Sequence, residues 1–70
     1  MTNKALLDRR IAESGYKKSY IAKALGITPE TFSRKIKNIS YFNVSEMRIL
    51  CELLGITSPE EKDNIFFAGE

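Results

Sequence analysis

The chain of 70 residues has no histidine, no tryptophan and a single cysteine, Cys51. Without histidine there is no Ser-His-Asp triad, no Cys-His pair and no histidine-bearing zinc cluster. A lone cysteine cannot close an internal disulfide, and in the apolar run Ile49-Leu50-Cys51 it reads as a small buried hydrophobe rather than a nucleophile. Carboxylates are scattered on what the periodicity makes solvated helix faces. Nothing here reads as an enzyme, and no cofactor or metal is implied. Long hydrophobic runs are missing too: none exceeds four residues, against about 20 for a bilayer-spanning helix. The start, Met1-Thr2-Asn3-Lys4, enters charged sequence without an apolar signal core. The expectation is a cytoplasmic protein with no membrane partner. Sustained alternation of β-branched residues is also lacking, so strands are unsupported.

What is present is helical punctuation in a chain short enough for one domain, residues 1–70, with an ordinary apolar fraction of 43%. Five short helices are expected, an all-α fold. The first runs from about Lys4 to Ser14 and turns Leu7 and Ile11 inward with Leu6 beside them. Gly15 stops it, and Tyr16 is expected to tuck its ring into the core. The second spans about Lys18 to Leu25, buries Ile21 and Leu25, and ends at Gly26. The third starts with Thr28 as N-cap and Pro29 at the first helical position, buries Phe32 and Ile36, and reaches about Lys37, with Asn38 as a left-handed stop. Asn43-Val44-Ser45-Glu46 has capping-box spacing and opens a fourth helix with an inward stripe of Met47, Leu50, Cys51 and Leu54. Ser58-Pro59-Glu60-Glu61 opens a fifth, expected to extend to about Phe67.

Net charge is only +2, but it is polarised. Residues 1–37 carry nine Lys/Arg against three acids, a balance of +6, and residues 38–70 carry two against six, a balance of −4. One half is suited to phosphates. Within it lies Lys18–Lys37, KSYIAKALGITPETFSRKIK. Two helices that cross steeply through a short turn need a small residue at their contact, a residue tolerant of positive φ in the turn, and hydrophobes locking the angle. Ala22, Gly26, and Ile21, Leu25, Ile27 and Phe32 meet those needs together.

On Ile21-Ala22, Leu25-Gly26-Ile27-Thr28, Phe32-Ser33-Arg34 and the downstream Leu50-Cys-Glu-Leu-Leu-Gly-Ile-Thr57, the chain resembles the small helix-turn-helix regulators of the phage Cro and repressor type. The likeness runs from about Leu6 to Thr57. Beyond it, Asp63-Asn-Ile-Phe-Phe-Ala68 resembles the ending of short regulators from temperate phages of Gram-positive bacteria. The resemblance implies operator-binding transcriptional regulation in a lysis–lysogeny switch. The alternative it carries is an antirepressor, a modulator of repression that binds a phage repressor protein. The chain departs from the family pattern at Lys18, where glutamine is frequent, and at Lys35-Ile36, where an aromatic-acid pair often closes the reading helix.

In a helix-turn-helix the second helix enters the major groove and the first lies across the backbone. With Phe32 and Ile36 inward, Pro29, Glu30, Ser33, Arg34 and Lys37 face out. Arg34 has the fork that matches guanine, and its competing role is an ion pair with Glu30 one turn back. Glu30 can accept from cytosine but also repels phosphate. Ser33 and Thr28 are expected near a base or phosphate, Thr28 equally as a plain cap. Phosphate positioning falls to Lys17, Lys18, Ser19, Lys35 and Lys37. In the apolar connector Ile39-Ser-Tyr-Phe-Asn43, Phe42 is expected to plug the core and Tyr41 to stay outside, where it can touch phosphate or another protein. Two adjacent phenylalanines cannot both point inward from one helix, so either one packs within the monomer and the other meets a partner or both belong to an interface; Ile65, Phe66 and Phe67 are the expected partner contact. A two-fold homodimer on double-stranded operator DNA is the implied assembly.

Overall fold

A computed structural model describes residues 1–69, among which there are five α-helices and no strand: α1 (Lys4–Ser14), α2 (Lys18–Leu25), α3 (Pro29–Ile36), α4 (Val44–Leu54) and α5 (Pro59–Phe66). All but α2 begin at a side-chain cap. Asn3 Oδ1 accepts from the Leu6 N–H at 3.1 Å, Thr28 Oγ1 from Thr31 at 3.1 Å, and Ser58 Oγ from Glu61 at 3.3 Å. Asn43 and Glu46 close a full capping box, Oδ1 taking the Glu46 N–H at 2.7 Å and Glu46 Oε1 the Asn43 N–H at 3.0 Å. The third helix ends at Ile36, one residue short of expectation, with Lys37 leaving helical geometry as its C-cap at φ −83° and ψ 2°. Asn38, at φ 64°, is the left-handed stop, and Ile39 then donates back to the Arg34 carbonyl at 3.0 Å.

The core gathers one stripe from every helix: Leu7 and Ile11, Ile21 with Ala22 and Leu25, Phe32 and Ile36, Leu50 with Cys51 and Leu54, and Ile65 with Phe66, joined by Phe42 and Ile56 from the connectors. Each fully buried Leu, Ile or Phe side chain contributes roughly 1.5–3 kcal/mol of transfer free energy. Phe42 sits between Phe32 and Phe66 in edge-to-face contact, with ring centroids at 6.0 and 5.9 Å, so the 39–43 connector is plugged into the core as expected.

Two expectations are corrected. Tyr16 does not enter the core. It stays outside and stacks on Tyr20, one turn into α2, with centroids 5.1 Å apart. Ile65 and Phe66 are not partner surface, since both are buried in the monomer, and only Phe67 stands out, 45% exposed. The α5 helix supports that split because its inward stripe meets Phe42 and the chain's first residues. Those residues lie along the end of α5, where Asn3 N–H donates to Ile65 O at 2.6 Å and Ala68 N–H to Met1 O at 3.0 Å. Thr2 turns its peptide group the other way, onto Asn38: its N–H meets Asn38 Oδ1 at 2.8 Å and its carbonyl takes Asn38 Nδ2 at 2.9 Å.

Candidate nucleic-acid interface

The bend between α2 and α3 is built from local chemistry. Gly26 adopts φ +76°, and Ile27 N–H reaches back to the Ala22 carbonyl at 3.0 Å, the double-bonded left-handed ending that turns the chain sharply. Ala22 is fully buried, so α3 can lie close against α2. Thr28 and Pro29 restart the helix. The expected helix-turn-helix over α2 and α3 is therefore present.

Helical geometry then sorts α3. Phe32 and Ile36 face the core, while Pro29, Glu30, Arg34 and Lys37 are exposed and Ser33 is half-buried. Arg34, its side chain 59% exposed, donates from Nη2 to Glu30 Oε1 at 2.9 Å. Both of its competing roles remain compatible, because one fork edge is engaged and the other N–H donors are unspent. Thr28 is occupied as a cap: its hydroxyl accepts from Thr31 N–H and donates to Thr31 Oγ1 at 2.9 Å.

At the start of α2, Lys17, Lys18 and Ser19 are all exposed, with Lys17 in the cap position making no side-chain cap bond. The first amides of α2 thus keep free donors for an anion. Lys18 Nζ lies 3.6 Å from Asp8 Oδ1, while Asp8 Oδ2 takes Lys4 at 2.5 Å. Tyr41 is exposed, as are its neighbours Ile39 and Val44.

Lys35 departs from expectation. It is no open phosphate ligand, because its ammonium is 2.6 Å from Glu46 Oε1, with side-chain exposures of 13% for the lysine and 8% for the glutamate. The cause is its place on α3, on the flank turned toward the start of α4. Burial pushes the Glu46 carboxyl up. The Lys35 hydrogen bond, the Asn43 N–H and the Lys35 charge together outweigh it and hold the pKa below the usual carboxylate value. Sequence reasoning missed this pair, and also the Tyr16–Tyr20 stack flanking Lys17 and Lys18. The i, i+4 spacing of the two tyrosines was the available signal.

Elsewhere the chemistry is quiet. Burial raises the Cys51 pKa, the nearby Lys62 and Glu61 offsetting and adding to it respectively, so the thiol stays protonated at neutral pH. Among the described residues no group of three His, Cys, Asp or Glu could hold a metal ion, and no helix is long and apolar enough to cross a membrane.

The bend and the cap build a helix-turn-helix with Arg34 and Lys37 facing outward, and a family model described as the Cro/C1-type HTH DNA-binding domain matches residues 6–61. The chain belongs to this family. No curated protein and no solved structure matches it. As a Cro/C1-type helix-turn-helix domain it is a DNA-binding regulator of transcription, with α2 and α3 as its motif.

Proposed function

We propose that the chain is a Cro-type regulator of a temperate phage switch that reads operator DNA in the cytoplasm by laying α3 in the major groove. The observation that carries this reading is the division of α3, with Phe32 and Ile36 sealed in the core and Pro29, Glu30, Arg34 and Lys37 on the opposite side. Arg34 grips guanine O6 and N7, a contact worth about 1–3 kcal/mol of discrimination. Glu30, its partner in the free protein, accepts from cytosine N4 or steers the guanidinium. Ser33, Thr28 and Pro29 pack along the groove wall. Lys17, Lys18, Ser19, Lys37 and Tyr41 hold phosphates, so affinity falls steeply with salt. Exposed Phe67 is the side chain at which two copies meet as a two-fold dimer across two half-sites.

The test is fluorescence anisotropy on a duplex that the chain enriches from a randomised pool. Arg34→Ala is expected to weaken that duplex by about 10- to 100-fold, following from the 1–3 kcal/mol of a bidentate contact. Its melting temperature should hardly move, since an exposed i, i+4 ion pair contributes only a few tenths of a kcal/mol. Failure to enrich any duplex, or an Arg34→Ala variant that binds as before, would sink the reading.

A second reading, an antirepressor that grips a phage repressor protein, draws support from a different observation. Directly after the reading helix, Ile39, Tyr41 and Val44 expose three large apolar side chains with no Lys or Arg among residues 38–45. Such a surface fits protein better than phosphate. Binding to the repressor alone, with no duplex bound in its absence, decides for this alternative.

A further inference from the structure

We propose that the Lys35–Glu46 pair is a positioning device that sets the roll of the reading helix, so that Lys35 acts on DNA through Arg34 and its neighbours rather than by touching a phosphate. The inference rests on the DNA-reading role given to α3 above. That helix has only eight residues. Its two buried anchors, Phe32 and Ile36, are separated by about 40° around the axis, since each residue advances about 100°. Two anchors nearly in line define an edge about which a short cylinder can rock. Lys35 lies about 60° from Phe32, on the flank opposite to Ser33, and supplies the third point.

The carboxylate it meets is itself fixed. Glu46 Oε1 takes the Lys35 ammonium at 2.6 Å and the Asn43 N–H at 3.0 Å, while Asn43 Oδ1 takes the Glu46 N–H at 2.7 Å. One oxygen therefore joins the end of α3 to the cap of α4. Rocking α3 away would leave a nearly buried carboxylate without its counter-charge, which makes the arrangement steep. A greasy residue in place of Lys35 would pack without that directional demand. Arg34 immediately precedes Lys35 on α3 and stands across the axis from the core, so the same rotation that breaks the pair sweeps Arg34 sideways.

The test replaces both charges at once. Lys35→Met with Glu46→Gln keeps the long stem, keeps an N3 side chain able to close the capping box, and leaves net charge unchanged. Residual dipolar couplings of the free protein report the orientation of residues 29–36 against 44–54. The probe DNA is the duplex enriched by the unaltered chain, compared with random duplex. In the double variant the couplings should fit a rotated α3, and the preference for the enriched duplex should fall about tenfold. The slope of log affinity against log salt should be unaltered. Lys35→Arg, which keeps charge and donors, should retain both orientation and preference. Unchanged couplings with unchanged preference overturn the proposal. So does a salt slope shallower by about one with preference intact, the signature of a lost phosphate contact. If the unaltered chain enriches no duplex, the DNA reading fails while the couplings alone still decide the pair. Where the double variant is unfolded, Glu46→Gln by itself is read by the couplings and the preference alone, since freeing the Lys35 charge alters the salt slope.

Discussion

The two ends of α3 are held in opposite ways. The entry is local: Gly26 at φ +76°, the Ile27–Ala22 bond, the Thr28 cap on Thr31 and Pro29 all lie within the ten residues from Ala22 to Thr31. The exit is remote. Asn38, at φ 64°, clasps the peptide of Thr2 from 36 residues upstream, and Lys35 reaches Glu46, 11 residues on. A local entry forms wherever α2 and α3 form. A remote exit forms only when the first residues, α4 and the end of α5 are in place, so the exit reports on the whole fold. The angle of α3 against α2 thus belongs to the turn, and its final seating belongs to tertiary structure.

The comparison breaks most visibly at Asn38. Alanine there removes two hydrogen bonds to a buried peptide and leaves at positive φ a residue that tolerates the left-handed region less well than asparagine, an expected loss of about 3 kcal/mol in urea unfolding. Asn38→Gly keeps the backbone conformation and loses only the Thr2 bonds, so it should fall between wild type and alanine. Equal losses for the two would mean that the clasp on Thr2 is the whole effect. At the entry, Gly26→Ala should cost about 1–2 kcal/mol, since nothing lies within 4 Å of an added Cβ and the penalty is purely the left-handed backbone. A smaller step follows from Thr28→Ala, about 1 kcal/mol by thermal unfolding, from loss of one capping bond. Amide exchange sharpens the contrast. Entry variants should loosen α3 alone, whereas Asn38 variants should also loosen the start of α1 and the end of α5.

Much of the entry was legible because its signals are short-range: glycine after a leucine, threonine before a proline, two hydrophobes four apart. The five helices, the caps at Thr28, Asn43 and Ser58 and the Phe42 plug follow from the same spacing rules. What was illegible depends on partners distant in sequence. Lys35 looks like any surface lysine until α4 brings Glu46 beside it. Ile65 and Phe66 look like spare apolar surface until residues 1–3 and Phe42 close over α5. Tyr16 follows a glycine stop, which marks the end of α1 but not the side the next ring takes, and stacking on Tyr20 held it outside. Asn38 was readable as a stop and unreadable as a clasp.

The gentlest test of the remote exit is acid. Glu46 has its pKa lowered in the folded chain from an ordinary value of 4.5, Lys35 and the Asn43 N–H outweighing burial. A depressed folded-state pKa means the unfolded chain takes up the proton first, so the stability this carboxylate contributes is fully present above pH 4.5. It is lost as pH falls through the lower folded-state value. The difference in unfolding free energy between wild type and Glu46→Gln should therefore be flat from neutrality down to about pH 5 and shrink below it. Thr28→Ala, which touches no titrating group, should differ from wild type by the same amount at every pH. An unchanging difference for Glu46→Gln would mean that Lys35 gives its carboxylate no preference for the charged form, and the exit would then be held by Asn38 alone.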